Sequence, residues 1–195
     1  MGGISNAAAR LPHSKGRYVV ELEPIFIKLA VAQSAFFRAA DTVPSSHWKT
    51  KPQVEAWCAS EVVAHLVTVE RAVVGGADRI SQKTPRHIPY LKRMHLPFWL
   101  VEKRIIRRKT PIPLDTSLLG DKEGMLAELR GVRERTLAFL EETKGRDLSA
   151  YRWRHAFLGM LNIYEWFEMI AAHEQRHTKQ MKEIAAHLPK VVGIS

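Results

Sequence analysis

Apolar residues return at helical spacing in four long runs of this chain, and no segment alternates apolar with polar residues as a half-buried strand would. Leu22, Ile25, Phe26, Leu29, Ala32, Phe36 and Phe37 form the first run. Pro24 is tolerable there only in a first turn, and Asp41-Thr-Val-Pro44 stops the run. The second, from Val54 to Val74, repeats through Val62, Leu66, Val69 and Val73, and Gly75-Gly76 is expected to weaken it. The third covers roughly 121–143, carries Met125, Leu129, Val132, Leu137 and Leu140, and ends near Gly145. The fourth opens on a capping box, Asn162-x-x-Glu165, and ends before Pro189. Four long amphipathic helices without strands or a repeat predict an all-α chain, a four-helix bundle with one long connection.

That connection, residues 83–113, is basic and proline-rich. Pro85, Pro89, Pro97, Pro111 and Pro113 keep it mostly irregular, with a short basic helix expected at 98–108. Of the formal net charge of +10, nine basic residues and the single acid Glu102 between Lys83 and Lys109 supply +8. The remainder is ordinary for a globular domain, so any polyanion contact would run through this stretch. Nucleic acid or a membrane surface could meet residues 83–109, where Tyr90, Phe98 and Trp99 lie among the cations. A cover over a pocket, with arginines for an anionic substrate, is a third use. The favoured reading is a solvated loop that packs its aromatics on the bundle.

The chain length of 195 residues suits one domain, here expected over 18–190, with 1–17 as a flexible leader and 191–195 as a tail. The leader has no continuous apolar core like that of a secretory signal, and no run reaches the ~20 apolar residues of a membrane span. Cys58 is the only cysteine, so no internal disulfide forms and a cytoplasmic setting is the simplest expectation.

Chemistry concentrates in the fourth run. Its inward stripe is Trp166, Ile170, His173, His177, Met181 and Ile184, which puts two histidines one turn apart in the seam. His65, three residues after Val62 and four before Val69, takes the same kind of position in the second run. One buried histidine alone is usually a hydrogen-bonded core residue. Two at i and i+4 can reach a common ion, and three unpaired imidazoles in one core would be costly. His65, His173 and His177 are therefore the expected ligands of a divalent metal, leaving a position open for chemistry.

The pattern His173-Glu174-x-x-His177 is also the spacing of zinc peptidases. Those enzymes draw a third ligand from farther downstream. Only 18 residues follow His177, and Glu183, six residues on, faces away from the pair. The peptidase reading is therefore not favoured. Glu174 is expected to be solvated or to sit beside the ligands. Glu61, a turn before His65, either orients an imidazole or answers the helix dipole. Cys58, near a helix start, is weighed as a nucleophile against a buried small hydrophobe, which is the commoner case. His155 is expected to bond the loop entering the fourth helix, whereas His13, His47, His87, His95 and His187 read as surface or loop residues.

Two segments, "EVVAHLVTVE" at 61–70 and "HAFLGMLNIYEWFEMIAAHEQRHTKQMKEI" at 155–184, resemble the second-helix and last-helix signatures of the DinB-like superfamily, also called the DinB/YfiT group. The resemblance spans most of the chain. It implies a four-helix bundle, a three-histidine site at His65, His173 and His177 binding zinc, nickel or a similar ion, and often a homodimer. It also implies activities that include transferases and isomerases using low-molecular-weight thiols. Three departures stand out. Trp57-Cys58 replaces the family's Trp-Ser, so Ser60 is expected to substitute as the cap. His155-Ala156 replaces His-Pro, and the basic connection is longer. The leading expectation is a metal-dependent hydrolase or thiol S-transferase acting on a small, thiol or anionic substrate. The alternative is a non-catalytic binding module whose connection meets nucleic acid or another polyanion.

Overall fold

The computed structural model describes residues 21–102 and 115–188. The expected leader and tail lie outside the described residues, as does most of the basic helix expected at 98–108. Four long helices form the body: α1 (Glu23–Asp41), α2 (Ala59–Ser81), α4 (Lys122–Glu142) and α5 (Ile163–His187). A single helical turn, α3 (Trp99–Glu102), lies in the connection between α2 and α4. The all-α bundle expected from periodicity is the architecture present.

Local chemistry fixes the helix ends. Pro24 sits in the first turn of α1, where its missing N–H has no partner to lose. Asp121 caps α4 by accepting from the Gly124 amide at 2.8 Å. At α5 the capping box closes both ways: the Glu165 amide donates to Asn162 Oδ1 at 2.9 Å and the Asn162 amide donates to Glu165 Oε2 at 2.7 Å. The start of α2 corrects one expectation. Ser60 lies inside the helix, and it is Glu61 that reaches back to accept from the Cys58 amide at 2.8 Å. This is the N3 half of a capping box, in which the acid at the third helical position satisfies the N-cap residue's own amide.

The helix also runs farther than its glycines suggest. Gly75-Gly76 does not end α2; Gly76 faces the Trp153 indole, and packing carries the helix to Ser81.

Two short strands were not anticipated. β1 (Arg152–His155) and β2 (Gly159–Asn162) pair antiparallel, Trp153 opposite Leu161, and β2 leads directly into α5. Four residues per strand are too few for alternation to show in the sequence. Trp153 of this hairpin stacks on Trp166 with ring centroids 4.6 Å apart. At the turn, Gly159 has φ 103, and a Cβ there would lie 2.9 Å from the Met94 carbonyl oxygen. A glycine is required on both counts. The connection thus docks on the hairpin, with His95 bridged to Gly159 and the Leu96 amide donating to Leu158 O at 2.9 Å.

α1 packs on α5, α2 on α4, and α2 and α5 meet across the middle. The core divides into two apolar clusters. One gathers Leu29, Val73, Phe139, Phe167 and Ile170; the other holds Phe36, Val62, Leu129, Val132 and Met181. Between them, along α2, α4 and α5, the buried positions turn polar: His65, Glu70, Arg133, Thr136, Glu174 and His177. This polar layer across the middle of the bundle positions the site.

Candidate metal centre

Helical geometry brings the three seam histidines together. His173 and His177 are one turn apart on α5, and α2 crosses so that His65 faces them. His65 Nε2 lies 3.2 Å from His173 Nε2, and His177 Nε2 lies 3.1 Å from the same atom. One ligand atom from each of the three residues falls within 4.8 Å of the others. Nitrogens held ~2.0–2.1 Å from one tetrahedral ion stand about 3.3–3.4 Å apart, so the donor set fits a single divalent ion.

The electrostatics agree. Burial, and secondarily the Arg176 charge, pulls His65 down to about 4. Burial, then His177, His65 and Arg176, pushes His173 well below the ordinary histidine range. Neutral imidazoles with lone pairs aimed at one point are the metal-binding form. Their close approach without a shared proton or ion would leave facing lone pairs unbalanced.

A residue that the sequence reading passed over sets one of these lone pairs. Gln180 Oε1 stands 2.9 Å from His177 Nδ1. A carbonyl oxygen only accepts, so Nδ1 carries the proton and Nε2 is left as the donor toward the cluster. The signal was present as a glutamine three residues after a candidate ligand, on the same helical face. Trp57, also unforeseen, sets its ring 5.1 Å from His65 and parallel to His177 at 6.3 Å.

The other candidates separate from the three histidines. Glu61 is occupied at the α2 start and pairs with Lys51 at 3.4 Å, so it serves the helix rather than an imidazole. Glu174 is not solvated, and it bonds none of the three histidines: it is 1% exposed and turned into the polar layer. There Arg133 donates through Nη2 to Glu174 Oε2 at 3.0 Å, through Nε and Nη2 to Glu70, and through Nη1 to Leu29 O. The one-residue offset from His173 rotates its side chain by about 100°, toward α2 and α4. Burial raises the Glu174 carboxyl to about 7, against the pull of Arg133. Burial weakens the Arg133 guanidinium's hold on its proton, but Glu70 and Glu174 outweigh it and raise its pKa. Cys58 is buried, with Sγ 3.1 Å from Ser60 Oγ, and does not line the cleft. His155 accepts at Nδ1 from the Phe157 and Leu158 amides, both at 3.1 Å, and so holds the turn that leads through β2 into α5, the segment it was expected to bond. His95 stacks on Phe98 and lies 3.6 Å from Glu165.

The three imidazoles open on a cleft of about 1270 Å³, whose walls include Trp57, Trp153, Trp166, Arg176 and Leu100. That exceeds the ~300–1,000 Å³ of an ordinary small-molecule site. The connection supplies one wall. Arg176 Nη1 donates to Val101 O at 3.2 Å and Lys179 Nζ to Glu102 O at 3.0 Å, tying α3 down on α5. Among the described residues the pocket-cover reading of the connection gains these contacts, while Phe98 and Val101 pack against the core, as a solvated loop packed on the bundle would.

The profile of the DinB superfamily matches residues 28–181, a span that includes all three histidines. The chain is also similar to the uncharacterized protein YuaE of Bacillus subtilis (strain 168), 28% identical over 137 residues, covering 69% of this chain and 80% of that one. No solved structure gives a significant match.

Proposed function

We propose, from the premise that this chain belongs to the DinB superfamily, that it is a metal-dependent enzyme acting on a small molecule held in the cleft. His65, His173 and His177 are the proposed ligands, of zinc, nickel or a similar divalent ion. The observation that carries the reading is the meeting of the three imidazoles on the wall of a large cleft, with His173 Nε2 3.2 Å from His65 Nε2 and 3.1 Å from His177 Nε2 and one ligand atom of each within 4.8 Å of the others. A divalent ion bound there supplies a Lewis acid that favours the deprotonated form of a thiol or water at neutral pH.

The protein's own residues do the rest. Gln180 fixes the tautomer and tilt of His177. Three neutral donors leave the full dipositive charge of the ion unspent, which lowers the pKa of a further ligand more than an anionic donor set would. Trp57, Trp153 and Trp166 offer apolar walls, and Arg176 a cation, for an organic substrate with an anionic group.

Between hydrolysis and transfer of a low-molecular-weight thiol, we favour transfer. A thiol ionised at the metal is itself the nucleophile, whereas water attack gains from a general base. Glu174, the base of the peptidase reading, is committed to Arg133 in the core. The test is a cobalt-substituted protein titrated with a small thiol. A new thiolate-to-metal charge-transfer band supports thiol chemistry. Full cobalt loading with no such band at saturating thiol rules it out and leaves hydrolysis.

A further inference from the structure

The basic connection carries a surface that the metal centre does not explain. From Lys83 to Val101 the chain has four Lys and Arg residues, Lys83, Arg86, Lys92 and Arg93, all exposed, and no acid. Nine large apolar side chains are exposed among the described residues, and five of them, Tyr90, Leu91, Met94, Leu96 and Trp99, fall within ten residues of this stretch. Leu91 is 81% exposed and Met94 69%. A sixth, Phe157, sits on the hairpin turn against which residues 94–96 are hydrogen-bonded. A loop that merely packed its apolar residues on the bundle would cover these at least as far as it covers the half-buried Phe98. Exposed apolar residues concentrated in this way mark an interaction surface.

We infer that this surface docks on an anionic lipid bilayer. A second copy of the chain is disfavoured, because a two-fold contact would set the four cations against their own images. Nucleic acid is disfavoured by the side chains between the cations: Leu91, Met94 and Leu96 have no π-face for a base, whereas all three partition into acyl chains. Tyr90 and Trp99 are the residue types that settle at the headgroup level, and the flanking cations meet anionic headgroups. The attachment is peripheral, since no described helix is long and apolar enough to cross a membrane. Leu96 and Phe157 also line the cleft, so docking would set its mouth at the lipid surface. The inference does not depend on the metal or on catalysis.

The experiment is co-sedimentation of the full chain with vesicles of phosphatidylcholine alone and of phosphatidylcholine with phosphatidylglycerol. Wild type should partition onto the anionic vesicles and far less onto the neutral ones. Lys92→Gln with Arg93→Gln should weaken binding about 25-fold, about fivefold per cation. Leu91→Ser with Met94→Ser should abolish detectable sedimentation at low and high salt alike, with helicity and metal content unchanged because both residues are exposed. The inference is overturned if wild type shows no preference for anionic vesicles, or if the serine pair binds them as well as wild type. It is equally overturned if wild type ignores vesicles but either binds single-stranded RNA or forms a dimer that the serine pair dissociates.

Discussion

Glu174→Gln separates the roles that one glutamate could play. The polar layer contains one guanidinium and two carboxylates, Glu70 and Glu174, all at most 4% exposed at the side chain. Arg133 can balance only one of them. Glu70 holds the larger share, with two bonds from Arg133 and a third from Thr136 Oγ1 at 2.8 Å. Glu174 has a single bond from Arg133, and among the described residues its Oε1 has no partner. Its carboxyl is accordingly raised by burial from an ordinary 4.5 to about 7. A raised carboxyl means that the folded state binds the proton more tightly than the unfolded chain does. Its contribution to stability is fully present below pH 4.5 and is lost as pH rises through 7. Between pH 5 and pH 8 the loss integrates to roughly 2–3 kcal/mol. Glutamine keeps an acceptor for Arg133 and cannot ionise, so the variant should lack this slope. Urea unfolding of chelator-stripped wild type and variant at pH 5, 6.5 and 8 measures it, with the stability difference moving toward the variant by roughly 2–3 kcal/mol across the series. A difference that stays constant with pH would refute the charge count. Loss of metal binding in the variant would refute the separation of Glu174 from the ligand set.

Gln180→Ala removes the acceptor at His177 Nδ1, and metal affinity measured by chelator competition should fall about 10–100-fold with helicity intact; unchanged affinity would show that Gln180 does not orient the ligand. Gly159→Ala forces a left-handed backbone on alanine and sets its Cβ 2.9 Å from Met94 O. It should cost about 1–3 kcal/mol in thermal or urea unfolding and speed hydrogen exchange at the Leu96 amide, which bonds Leu158 O; protection equal to wild type would contradict the docking of the connection on the hairpin.

The sequence made the four helices legible because each carries a long apolar stripe, and stripes of twenty residues survive local exceptions. It placed His65, His173 and His177 in the seam by the same spacing, and the structure brings all three together. What it did not show depends on neighbours distant in the chain. The hairpin consists of two four-residue strands whose reason for pairing, Trp153 on Trp166, is tertiary. Gly75-Gly76 reads as a helix end, yet Gly76 meets an indole 77 residues away along the chain. Glu174 looked solvent-facing because its helix position is one step off the seam. Only the crossing of α2 and α4, which delivers Glu70 and Arg133, turns that side into a buried one. Glu61 was weighed between two roles on α2, and its bond from the Cys58 amide with its pairing to Lys51 decides the matter in favour of the helix start.

The central claim is that one ion is shared by two helices. Metal content per chain, by mass spectrometry on untagged wild type and on His65→Ala after dialysis against a weak chelator, tests it directly. The account predicts about one ion per chain in wild type and less than about a tenth of that in the variant, as expected for loss of one of three protein ligands. Equal metal in both proteins, or none in a wild type supplied with zinc or nickel, would contradict it.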